Sequence, residues 1–162
     1  MNRKSVMAGL LAGLSATVLA AFAPARAQAI RKANPPTVAK PVAAYSHVAE
    51  VPPGTRLLYL AGQVGNRPDG SLPESVDDQA AQALENIRLI LAAEGARPQD
   101  IVKLTFYVAQ KPASLAKLNA KRAEMFAGTA PPPSTWVQVA GLARPEYLVE
   151  IEAVAAVPAP AQ

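Results

Sequence analysis

The chain contains no cysteine. That excludes disulfides, thiolate metal sites and cysteine nucleophiles, and it leaves the fold to rest on its core. There is one histidine, His47, too few for a zinc site without sulfur partners. Aromatic residues make up only 5% of the sequence. Basic residues are scattered: beyond residue 27 the only adjacent pairs are Arg31-Lys32 and Lys121-Arg122. No basic, aromatic-lined groove is indicated, so nucleic acid is not expected as a partner. No metal site and no cofactor is expected either.

What is present begins with the three-part pattern of a secretory signal: basic Asn2-Arg3-Lys4, an uncharged apolar run from Val6 to Ala23, then small residues. Gly9, Gly13 and Ser15 interrupt the run and Pro24 ends it, so it is too short and too weak for a permanent membrane span. Residues 1–27 are therefore read as a signal peptide. Ala25-Arg26-Ala27 and Ala27-Gln28-Ala29 are competing Ala-x-Ala sites, and cleavage is expected after Ala27 or Ala29. The expected location is periplasmic or secreted, with no stable membrane insertion after cleavage. Loss of Arg3, Lys4 and Arg26 lowers the formal net charge from +4 to +1, which leaves no field to steer the protein toward polyanions. The remaining roughly 135 residues suffice for one domain with its own core.

Pro35, Pro36 and Pro41 with scattered charges mark 28–41 as a flexible segment without regular structure. The domain spans 42–157, and alternating prolines make 158–162 a disordered tail. Within the domain, Arg56 to Ala61 reads as a buried strand, and Arg67-Pro68-Asp69-Gly70-Ser71 as a turn. Ser75 with Asp78 resembles a capping box, and Val76, Ala80, Ala83, Leu84, Ile87 and Leu91 recur at helical spacing until Gly95. Ile101 to Val108 alternates as a half-buried strand, with Leu104, Phe106 and Val108 on one face. A second helix is indicated from about Ala113 to Ala127, with Gly128 as its stop. Pro131-Pro132-Pro133 then delivers an extended chain to Ser134–Val139, and Tyr147–Val157 is the last strand, with Glu150 and Glu152 on one surface. Both helices should pack on one face of a mixed sheet, an α+β fold. The other face, expected to present Tyr107, Trp136 and Val154, calls for cover by further copies of the chain.

These residues resemble the RidA/YjgF (reactive-intermediate deaminase) family over Ala44 to Val157. The landmarks are Ala44-Tyr45-Ser46-His47, Ala61-Gly62-Gln63-Val64, Gln82-x-Leu84-x-Asn86-Ile87, Asp100 to Thr105, Leu118-Asn119, Val137-Gln138-Val139-Ala140-x-Leu142 and Val149-Glu150-Ile151-Glu152-Ala153. The resemblance implies a chorismate-mutase-like fold assembled as a homotrimer, with small-molecule clefts between subunits. It further implies hydrolysis of enamines and imines to 2-oxo acids and ammonia without metal or organic cofactor. By the same resemblance Glu150 orients the attacking water as the catalytic residue, while Tyr45, Asn119, Gly62, Ser134 and Trp136 line the substrate cleft. The family's carboxylate-clamping arginine falls on Ser134, which offers one neutral hydrogen bond in place of a charge-assisted pair. Trp136 replaces a small residue, often cysteine, and Ala61 replaces a usual serine. Arg144 and Arg122 are the candidates to supply the missing charge. The family position of His47 is variable, so it is read as structural.

Overall fold

A computed structural model describes residues 29–158. The expected signal peptide and the tail from Ala159 lie outside them. The elements run β1 (Arg31–Ala33), β2 (Val48–Glu50), β3 (Thr55–Val64), α1 (Val76–Ala93), a 3-10 turn (Pro98–Asp100), β4 (Ile101–Val108), α2 (Ala116–Met125), β5 (Ser134–Gln138) and β6 (Val149–Pro158). The main sheet has the order β3-β6-β4-β5, with β4 and β5 parallel and the other pairs antiparallel. Parallel pairing of β4 with β5 requires a crossover, and α2 supplies it.

α1 begins where its sequence says it should, because the Ser75 hydroxyl accepts from the backbone N–H of Asp78. It ends where Gly95, at φ 68°, turns the chain back. Val76, Ala80, Ala83, Leu84, Ile87 and Leu91 form its buried stripe. They pack on Leu104, Phe106 and Val108 of β4 and on Val149, Ile151, Ala153 and Ala155 of β6, with Leu118 and Met125 of α2 completing the core. Truncating a side chain such as the fully buried Leu84 should cost about 2–5 kcal/mol. Both helices therefore cover one face of the sheet, as the alternation in β4 and β6 requires.

Four sequence expectations are corrected. Residues 28–41 are not wholly irregular: β1 pairs antiparallel with β2. Side chains add to this pairing through an exposed ion pair from Arg31 to Glu50, a hydrogen bond from the Lys32 ammonium to the Gln99 carbonyl at 3.0 Å, and the same ammonium 5.7 Å from the centre of the Phe126 ring. α2 starts at Ala116 rather than Ala113 because its cap comes from another helix. The buried Asp77 carboxylate of α1 accepts from the backbone N–H groups of Lys117 and Leu118 at 3.0 and 2.9 Å. β6 starts at Val149 rather than Tyr147 and runs through Pro158, the first residue of the expected tail.

The fourth correction concerns the helix-free face. Trp136 stands directly across from Phe106 in the β4–β5 register, and residues directly opposite share a face. The two rings stack at 5.4 Å, so Trp136 belongs to the helix side. Register assigns the open face to Leu57 and Tyr59 of β3, Lys103, Thr105 and Tyr107 of β4, Val137 of β5, and Glu150, Glu152 and Val154 of β6. Leu57, Tyr59 and Val137 are exposed there, Tyr59 to 77%.

Candidate functional site

On the open face, Glu150 of β6 lies across from Tyr107 on one side and Val64 on the other. β3 is bulged between Leu60 and Gln63, which brings Gly62 against the glutamate. A Cβ added at Gly62 would overlap the Glu150 carboxylate, so glycine leaves the carboxylate room in the position it takes here. Among the described residues Glu150 takes part in no ion pair. Its neighbour Glu152 accepts a hydrogen bond from the Tyr107 hydroxyl at 3.0 Å. That bond, with desolvation and the charges of Glu152 and Glu150, holds the Tyr107 phenol above its ordinary pKa.

The scaffold behind this pair is rigid for identifiable reasons. Asn86 of α1 donates to the carbonyls of Val64 and Asn66 at 3.1 and 2.8 Å, and Gln82 holds the Asn86 carbonyl at 2.9 Å. The two polar landmarks of that helix thus fix the end of β3 beside Gly62. Gln79 is buried and fully engaged. Its amide nitrogen donates to the carbonyls of Pro73 and Glu146, and its oxygen accepts from the Leu148 N–H at 2.9 Å. It anchors the chain two residues before Glu150, a role that sequence reasoning missed. A polar residue in an otherwise apolar helical stripe is the signal that could have found it.

The remaining predicted residues gather on the other side of the sheet, around β5 and α2. Ser134 is half-buried at the start of β5 and Trp136 is 38% exposed two residues on. Asn119 is exposed on α2, one turn before Arg122. Asn119 and Arg122 line a cavity of about 420 Å³ together with Ala43, Ala44, Phe126 and Pro131. The Arg122 guanidinium lies 5.4 Å from the centre of the Phe106 ring, and Nη2 donates to the Ala44 carbonyl at 2.6 Å. Nε is buried without a partner. Desolvation lowers the pKa of Arg122. Tyr45 follows Ala44, half-buried and edge-on to His47 at 5.7 Å. Ser46 ties this stretch to the proline run by donating to the Pro131 carbonyl at 2.7 Å.

Within one chain the structure therefore brings Glu150 together with Gly62, and Asn119 together with Arg122, which shares the Phe106 ring with Trp136. It does not bring the two groups together, because register sets Ser134 and Trp136 on the face opposite Glu150. Arg144 is exposed, pairs with Glu146 at 3.8 Å and lies 5.8 Å from the centre of the Tyr147 ring. Among the described residues no cluster of potential metal ligands occurs, and no helix is long and apolar enough to cross a membrane.

Comparison with known proteins gives this geometry a context. The sequence profile of the family described as Endoribonuclease L-PSP matches residues 36–157. A RutC family protein of Pyrococcus horikoshii is 36% identical over 118 residues, 72% of this chain and 89% of the relative. A mouse (Mus musculus) protein named 2-iminobutanoate/2-iminopropanoate deaminase is 35% identical over 113 residues, 68% of this chain and 79% of the relative. Among solved structures, a protein of the conserved Rid family from Yersinia pestis superposes with a TM-score of 0.72 at 35% identity, covering 80% of this chain and 100% of that one. Two helices on a mixed four-stranded sheet, the ordered landmarks and these matches agree: the chain belongs to the RidA/YjgF family.

Proposed function

We propose that the protein hydrolyses small imines and enamines of 2-amino acids at clefts shared by neighbouring copies of the chain. The observation that carries this reading is the Glu150–Gly62 pair, a carboxylate with no ionic partner among the described residues, lying against a strand position that has no side chain. Water adds across the C=N bond of R–C(=NH)–COO⁻ to give a carbinolamine, which collapses to the 2-oxo acid and ammonia. Glu150 orients that water and carries its proton to the departing nitrogen. No group beyond the substrate, water and a proton carrier is needed for the balance. The deaminase name of the mouse relative supports the reaction class.

The shared cleft follows from the two faces. Glu150 with Gly62, and Asn119 with Ser134 and Trp136, can line one space only if they come from different copies. Leu57, Tyr59 and Val137, exposed on the open face, provide the apolar surface that self-association would cover. A homotrimer, characteristic of the family, satisfies both. We further propose export to the periplasm or outside, on the pattern of residues 1–27. The N-terminal mass of protein recovered from the periplasmic fraction tests this, and an intact Met1 on cytoplasmic protein would overturn it.

A second reading has one observation in its favour: the neutral Ser134 stands where the family has its arginine. On that reading the cleft binds a metabolite without turning it over. Ammonia release from freshly generated 2-aminoacrylate separates the two, since a binder gives only the rate of buffer.

A further inference from the structure

We propose that Arg122 is the carboxylate anchor of this chain, and that its ligand is a small monocarboxylate with a short aliphatic tail seated between α2 and the Ala43–Ala44 segment. The inference rests on the reading above and names the group that binds the substrate's charged end.

The other described arginines are already engaged. Arg31, Arg56, Arg88, Arg97 and Arg144 each pair with a carboxylate, and Arg67 donates to the Ser71 hydroxyl. Arg122 pairs with no carboxylate among the described residues. Of its five N–H donors, Nη2 reaches a neutral carbonyl and Nε is buried with nothing to donate to. A guanidinium partly drawn out of water without a counter-charge carries a cost, and a bound anion would reduce it. Its orientation is fixed in advance by the ring of Phe106 beneath it and the Ala44 carbonyl beside it.

The surroundings define the rest of the ligand. Ala43, Ala44, Phe126 and Pro131 give the cavity apolar walls suited to a short aliphatic chain, while the exposed Asn119 amide can hydrogen-bond one neutral polar group such as an imine or oxo function. The volume of about 420 Å³ is that of a small-ligand site. Pro131 lies three residues before Ser134, and Trp136 stacks on the same Phe106 that Arg122 covers. The charge absent at Ser134 thus reappears at the same corner of the sheet, carried by α2.

Titration of the purified protein with 2-oxobutyrate, a stable product-like carboxylate, tests the inference by calorimetry. Saturable binding is expected, weakened about tenfold or more in Arg122→Gln and partly retained in Arg122→Lys. The uncharged 2-butanone should not compete. In the wild-type protein the Arg122 Nε–H resonance should shift on addition of 2-oxobutyrate, a readout that needs no variant to fold. Unchanged binding in Arg122→Gln, or an unmoved Nε–H signal, would overturn the inference. If 2-oxobutyrate binds through Arg122 but no ammonia is released from 2-aminoacrylate, the anchor stands and the deaminase reading falls. If Arg122→Gln hydrolyses 2-aminoacrylate at the wild-type rate, the reverse holds.

Discussion

Gly62 and Glu150 sit so close across the β3–β6 pair that a single added methyl at the glycine would overlap the glutamate carboxylate. The alanine variant must therefore move the carboxylate or the strand. Gly62→Ala should lower kcat/KM for imine hydrolysis by about a hundredfold, the scale of a displacement near 1 Å at a reacting group. Far-ultraviolet circular dichroism should stay unchanged. Wild-type activity in this variant would show that the position of Glu150 is irrelevant to the chemistry.

Asp77 links the two helices. Its carboxylate, buried at the start of α1, accepts from two backbone N–H groups at the start of α2. Asp77→Ala strands both donors and should reduce unfolding free energy by about 1–3 kcal/mol, measured by urea denaturation. A loss below a few tenths would mean that water replaces the cap without penalty.

Glu85 has its pKa lowered from 4.5 to about 2, first by the hydrogen bond from Arg88 and then by Lys121. A carboxylate whose pKa falls on folding contributes stability that is present above its unfolded value. That contribution fades as pH drops from 4.5 toward 2. The pair is partly solvated, so the effect is modest. Glu85→Gln should flatten the acid side of the melting-temperature curve in this window and leave its slope near neutrality unchanged. Equal slopes in both proteins between those pH values would contradict the assignment.

Tyr59, 77% exposed on the open face beside Leu57, tests the assembly. The wild-type protein should elute with three times the mass of one chain by light scattering. Tyr59→Glu should shift it toward the monomer and reduce hydrolysis in proportion. A wild-type monomer with full activity would be incompatible with a shared cleft.

Much of this was written locally in the sequence. The alternation in β4 and β6 announced which face each residue takes, and Ser75 and Gly95 marked both ends of α1. What was not legible depended on partners distant in sequence. α2 starts three residues later than its apolar spacing indicates because its first N–H groups are taken by Asp77, some forty positions upstream. The side taken by Trp136 required the parallel register of β5 on β4, which no period within Ser134–Gln138 encodes. β1 has no apolar alternation and owes its place to Glu50 and the Gln99 carbonyl. For the site, the Glu150–Gly62 approach is hidden because the β3 bulge between Leu60 and Gln63 falls on Gly62 itself and breaks the strand period there. The standing of Arg122 depended on which arginines had found carboxylates, a question only the folded chain answers.

The most direct measurement is ammonia release when the purified protein meets 2-aminoacrylate generated in the cuvette, run beside its Glu150→Gln variant. The account predicts clear acceleration over buffer by the wild type and a return to the buffer rate in the variant. A wild type no faster than buffer, or a variant as fast as the wild type, would contradict it.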